Sequence, residues 1–296
     1  MSRSESLGQQ KEVDLQAGVI RYRERGAGPP IVFVHGLLVN GDLWRQVVPQ
    51  LATRFRCITP DWPLGSHRLA MHPAADLTPP GLARLVADFL TALNIDGATV
   101  VGNDTGGAVS QLLVTAHPER VARLVLTDCD AYENFLPPMF RYLQWAAHVP
   151  GAVMCLTQSM RLRALRRLPI TYGWLHKRAI DAAISDSYVE PVLSTAAVRR
   201  DVTKVLAGIS SRYTLEAAAR FARFQRPVLL VWSDEDRFFP MAHAVRLSTG
   251  FPNARLERIT DSYTFVSEDQ PQRLAELITS FMAEDRREER MAELAG

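Results

Sequence analysis

The chain has 296 residues, long enough for one large α/β domain carrying an insertion. Its 47% hydrophobic content and its 34 basic against 32 acidic side chains describe an ordinary globule, with nothing that selects nucleic acid or membrane as a partner. Cys57, Cys129 and Cys155 show neither CxxC nor Cys/His ligand spacing, so they are expected as buried free thiols, with no disulfide framework, no metal and no cofactor. The first residues hold no apolar run after their charges, and no segment offers about 18 uninterrupted apolar residues. Neither a signal peptide nor a membrane span is therefore expected, and the expected location is cytoplasmic. The partner this leaves is a small-molecule substrate, with a homodimer left open.

Two short strand patterns, 12–16 and 19–24, meet at Ala17-Gly18, where glycine supplies the freedom of a hairpin turn. Residues 31–34 follow as a continuous apolar run, the pattern of a strand buried on both faces. Similar runs recur at 57–59, 99–102, 124–127 and 228–232, with helical patterns at 81–93 and 108–117 between them. This alternation predicts right-handed βαβ crossovers and a mostly parallel sheet. A last strand is expected at 255–259 and a closing helix at 271–283.

From about 135 to 220 the rhythm breaks into successive helix-like segments with no clear strand, which predicts a helical cap, 135–219, inserted into a core of 1–134 and 220–296. Arg161, Arg163, Arg166, Arg167, Lys177 and Arg178 make part of this stretch basic, a pattern that suits an anionic surface or substrate but is more simply a solvated helix face. The charge run 284–293 reads as a frayed, solvated helix end.

The segment 99–108, Thr-Val-Val-Gly-Asn-Asp-Thr-Gly-Gly-Ala, places Asp104 in a glycine-flanked turn between a strand and a helix. It matches G-x-Nuc-x-G, the nucleophile elbow, in which small neighbours let strand and helix approach while the central side chain projects into a pocket. An aspartate before a helix can also be a simple cap. The glycines on both sides favour the elbow.

At this point the chain resembles the α/β-hydrolase superfamily, and within it the epoxide hydrolase and haloalkane dehalogenase-like branch that uses Asp at the elbow. The resemblance implies an α/β-hydrolase fold, a mostly parallel sheet flanked by helices with an inserted helical cap. It makes Asp104 the nucleophile. Val34-His35-Gly36-Leu37 resembles the segment that lines the oxyanion hole, so the backbone N–H groups of Leu37 and Thr105 would form that hole and His35 would hold the loop. Residues 61–66 resemble a structural segment in altered form. Residues 231–240 resemble the acid loop, with Asp236 preferred to Asp234 as the acid, and Asp128 and Asp130 in reserve.

The family pattern D-S-x-H-F after the last strand reads here Asp261-Ser262-Tyr263-Thr264-Phe265, so Thr264 occupies the histidine slot. An alkyl ester on Asp104 needs a base to activate water, and threonine is not one near neutral pH. His67, His148, His176 and His243 could serve only if the fold brought them over Asp104, while His117 lies at the far end of the helix after the elbow. Leu37 and Thr105 also replace the Asn and Trp that hold a leaving halide in dehalogenating relatives. Tyr142, Tyr172, Tyr188 and Tyr213 fall in the cap, where epoxide hydrolases keep their proton-donating tyrosines. Three functions follow, in order: an epoxide hydrolase-like enzyme for a small, largely apolar substrate; a lyase, isomerase or cyclase using Asp104 as acid and base; and a catalytically silent binding protein.

Overall fold

The computed structural model describes residues 5–295, with side chains described through residue 283. The apolar runs form strands β1 (Gln9–Leu15), β2 (Gly18–Arg25), β3 (Pro30–Val34), β4 (Arg56–Pro60), β5 (Ala98–Asp104), β6 (Val121–Cys129), β7 (Val228–Ser233) and β8 (Ala254–Ile259). They build one eight-stranded sheet in the order β1-β2-β4-β3-β5-β6-β7-β8. The first hairpin is antiparallel and joins β4 antiparallel, while every pair from β4 to β8 is parallel. β5 is buried at every position, as a central strand covered on both faces must be, whereas β8 at the edge is mostly half-buried.

The helices in chain order are α1 (Val48–Leu51), α2 (Pro79–Ala92), α3 (Thr105–Ala116), α4 (Arg141–Ala147), α5 (Ala152–Ser159), α6 (Ala182–Ser194), α7 (Ala196–Gly208), α8 (Ser211–Ala218), α9 (Met241–Gly250), α10 (Val266–Asp269) and α11 (Pro271–Ala295). Thr78 caps α2, its hydroxyl accepting from Gly81, and the two prolines that open the helix need no donor there. Five helices, α4 to α8, lie between β6 and β7 without a strand. The last of them, α8, lies against α3, the helix that follows the elbow, so this end of the insertion joins the layer flanking the sheet.

Three details differ from the sequence reading. The hairpin turn falls at Gln16-Ala17, and Gly18 opens β2 with φ +133°; a Cβ there would stand 3.1 Å from the Met71 Cα. Cys155 is exposed at the surface of α5, while Cys57 and Cys129 are buried thiols as expected. The closing helix runs twelve residues beyond 283, to Ala295, but the side chains of the 284–293 charge run lie outside the described residues. Among the described residues no helix is long and apolar enough to cross a membrane.

Candidate active site

The parallel sheet delivers the site at the C-terminal end of β5, where Asp104 turns the chain into α3. Asp104 has φ 54° and ψ −131°, a backbone state that costs a non-glycine residue about 1–3 kcal/mol and persists only where packing enforces it. Packing does so here. A Cβ on Gly106 would meet the Val34 carbonyl oxygen at 2.2 Å, and one on Gly36 would meet Oδ2 of Asp104 at 2.1 Å. The two glycines thus serve close approach between the β3 loop and the elbow.

The backbone N–H groups of Thr105 and Leu37 act on the carboxyl of Asp104 and lower it. Burial pushes this carboxyl up to about 7, the two N–H groups oppose the rise, and the charge of Asp236 adds to it. His35 sits beside the elbow but is fully committed to structure. Its Nδ1 lies 2.9 Å from the Gly36 carbonyl and its Nε2 accepts the Trp62 N–H at 2.9 Å, which assigns a neutral ring protonated on Nδ1. The 61–66 segment is accordingly a packing partner of this loop, with Asp61 also accepting from the Gly41 N–H.

Asp236 lies in the loop after β7. Its Oδ1 accepts N–H bonds from Phe238 at 2.7 Å and Phe239 at 2.6 Å, and its Oδ2 accepts the Thr264 hydroxyl at 2.6 Å. Burial nonetheless holds its carboxyl above the usual range. Asp234 points instead to Arg258, at 2.6 Å, and is exposed. Thr264 is fully buried, and its carbonyl accepts Nδ2 of Asn103 at 2.8 Å. Asn103 escaped the sequence reading. It also bonds the Thr127 hydroxyl at 3.0 Å, so one side chain ties β5, β6 and the Thr264 loop together. A polar residue in an otherwise apolar strand, next to the elbow, was the available signal.

The reserve acids prove to be neighbours of the site with different surroundings. The β5–β6 register skips Asp128, pairing Asn103 with Thr127 and Asp104 with Cys129. This bulge turns Asp128 toward β7, where it accepts the Ser233 N–H at 2.8 Å and the Ser233 hydroxyl at 2.7 Å. Asp130 is fully buried. Its Oδ2 accepts the Thr105 hydroxyl at 3.3 Å, and its Oδ1 has no hydrogen-bond partner. Burial first, then the charge of Asp104, pushes its carboxyl well above the usual range. With two such carboxyls sharing one dry site, the more deeply buried Asp130 keeps the proton.

No histidine is among the groups that set the charge of Asp104. His67 faces Asp201 of α7 at 3.2 Å. His176 stacks on Phe265 and bonds the Arg178 carbonyl at 2.7 Å. His243 packs against Tyr132, His117 caps α3, and His148 caps α4. His72, which the sequence reading passed over, is exposed beside the first hairpin.

Asp104 forms part of the wall of a cavity of about 200 Å³ whose lining is otherwise dominated by Leu37, Leu38, Leu136, Phe140, Leu143, Leu156, Met160 and Leu175. Tyr142 and Tyr172 also line it. Their hydroxyls donate to the carbonyls of Ile170 at 2.8 Å and Leu38 at 2.6 Å, and burial raises both phenols. Tyr188 is buried behind Tyr172, its hydroxyl without a partner, and Tyr213 packs under Arg212.

A family model described as the alpha/beta hydrolase family matches residues 31–277. Haloalkane dehalogenase 2 of Mycobacterium tuberculosis (strain ATCC 25618 / H37Rv) is 28% identical over 272 residues, covering 90% of this chain and 92% of its own length. A 2-hydroxy-6-oxononadienedioate/2-hydroxy-6-oxononatrienedioate hydrolase of Dechloromonas aromatica (strain RCB) is 26% identical over 264 residues, 83% of each chain. Among solved structures, epoxide hydrolase CorEH matches 93% of this chain and 98% of its own with a TM-score of 0.78 at 20% identity. An alpha/beta hydrolase fold protein from Burkholderia ambifaria matches 92% and 97% with a TM-score of 0.75 at 24% identity. These two likenesses are likenesses of fold. The family model spans most of the chain, the sheet order and elbow agree with it, and the protein therefore belongs to the alpha/beta hydrolase family.

Proposed function

We propose that the protein is an enzyme that acts on a small, largely apolar molecule by proton transfer at Asp104, as a lyase, isomerase or cyclase. The observation that carries this reading is the Thr264 hydroxyl donating to Asp236 in the slot where a water-activating imidazole would stand. An ester on Asp104 would have no base to hydrolyse it. A carboxyl brought to about 7, by contrast, populates both its acid and its base form near neutral pH and can take a proton from one atom of a substrate and return it to another. Asp130 supports this role by keeping a second charge off the site, and the apolar cavity wall excludes water that would compete for the proton.

A second reading rests on the N–H groups of Leu37 and Thr105. They favour the charged form of the Asp104 carboxyl, as they would the oxyanion of an alkyl-aspartyl ester under hydrolysis, which supports attack by Asp104 on an epoxide or haloalkane carbon. Without a base, that route ends in a lasting adduct.

One experiment separates the two. Apolar ketones, epoxides and haloalkanes are incubated with the protein in D2O, followed by NMR of the small molecule and mass spectrometry of the chain. Deuterium incorporation or isomer formation that disappears in Asp104→Asn supports proton transfer. A stoichiometric adduct on Asp104 with no deuterated or isomerised product supports the covalent route instead. Full turnover in Asp104→Asn would defeat both.

A further inference from the structure

The helical insertion departs from the charge balance of the rest of the chain. Residues 135–180 contain seven arginines and lysines and no aspartate or glutamate. Four of these cations are neutralised from outside the stretch, Arg163 and Arg166 by Asp186, and Lys177 and Arg178 by Asp261. Arg141, Arg161 and Arg167 are exposed and have no carboxylate within ion-pair distance among the described residues. The same stretch exposes large apolar side chains: Leu162 is 64% exposed, Ile170 46% and Leu168 40%. Leu168 and Ile170 also line the cavity that holds Asp104, so the apolar interior continues onto this outer face.

We infer that this face, centred on the turn 159–170, docks on an anionic lipid surface. Arginines bracketing Leu162 match the order of an interface, with cations at the headgroups and leucine just below them. No carboxylate of 135–180 opposes an anionic headgroup. A lipid surface is favoured over an acidic protein because the patch runs into an apolar cavity, and an apolar small molecule concentrates in lipid. The expected binding is shallow and reversible, since a few side chains and two or three cations contribute. The sequence shows this local excess within a near-neutral chain, where its simpler reading was a solvated helix face. The docking does not depend on the chemistry assigned to Asp104.

The test is flotation of the full chain with vesicles of phosphatidylcholine alone and of equal parts phosphatidylcholine and phosphatidylglycerol. The protein is expected to float with the mixed vesicles, not with the neutral ones, and to be released by salt. Arg161→Gln with Arg167→Gln is expected to weaken partition roughly 30-fold, at about one phosphatidylglycerol-facing charge each. Leu162→Ser weakens it further. Arg54→Gln with Arg223→Gln, the same charge change at exposed sites elsewhere, leaves it intact. All these positions are exposed, and the composition and salt dependence of the unmodified chain decide the matter without any variant. Equal affinity for neutral vesicles, no flotation, or equal loss in the control pair overturns the inference. Capture by polyglutamate without vesicle binding also overturns it and marks an acidic protein partner.

Discussion

The hydroxyl of Thr264 and Oδ2 of Asp236 stand 2.6 Å apart in a site where Asp104 is left with backbone donors and carboxylate neighbours. The contact between acid loop and final loop is thus kept, but it ends at Asp236 and moves no proton toward Asp104. Thr264→Val removes the donor and leaves Oδ2 of Asp236 short of a partner, at a cost of about 1–3 kcal/mol. Thr264→Ser keeps it. Urea midpoints of the two variants check this, and equal midpoints would show that the hydroxyl contributes nothing.

The raised carboxyl of Asp104 has a signed consequence for stability. Its folded value of about 7 lies above the unfolded one, so the favourable contribution of the protonated form is complete below the unfolded value and is lost as pH rises through about 7. Asp104→Asn escapes that loss. The variant is expected to be more stable than the parent by about 2–4 kcal/mol near pH 8, with the gap closing toward pH 4. Denaturant titrations at the two pH values measure it; a gap that widens in acid would contradict the sign.

If Asp104 acts as a base, turnover should rise with pH along a single limb with an apparent value of about 7, the value of the Asp104 carboxyl. Asp130→Asn replaces a neighbour that stays uncharged while Asp104 titrates, and should leave that limb where it is. A limb moved toward acid by Asp130→Asn would show instead that Asp130 carries charge beside Asp104 in the parent.

Gly36→Ala places a methyl carbon 2.1 Å from Oδ2 of Asp104, so the carboxylate must leave the Leu37 and Thr105 N–H groups. Activity is expected to fall by about 100-fold or more, the scale seen when a reacting group is displaced by an ångström. Steady-state rates against circular dichroism separate this from unfolding. A folded variant with parental rates would mean the pair of N–H groups is dispensable.

Asn103→Leu frees the Thr264 carbonyl and the Thr127 hydroxyl at once and should cost about 2–4 kcal/mol, since buried polar groups are left without partners. Thermal unfolding measures this, and a loss under about 0.5 kcal/mol, the range of ordinary surface substitutions, would show the network to be redundant.

Much of this molecule was legible from local pattern. The continuous runs at 31–34 and 99–102 became β3 and β5 because a strand covered on both faces has no polar side to show, and the glycines around Asp104 marked a turn that only close packing requires. The unread parts depend on contacts distant in sequence. Asp130 couples to Asp104 by charge, from the ends of two neighbouring strands. The partner of α8 is α3, about a hundred residues earlier, so nothing local separated it from the other helices of the insertion. Cys155 is exposed because α5 turns that side outward, which no spacing of three cysteines reveals.

Asn103 grips residue 264 by its peptide carbonyl, a group that every amino acid carries. The framework around the elbow is therefore blind to which side chain occupies that slot. Imidazole and hydroxyl can be exchanged there while this anchor of the loop stays the same, so the group that faces Asp236 can change by one residue on an unaltered scaffold.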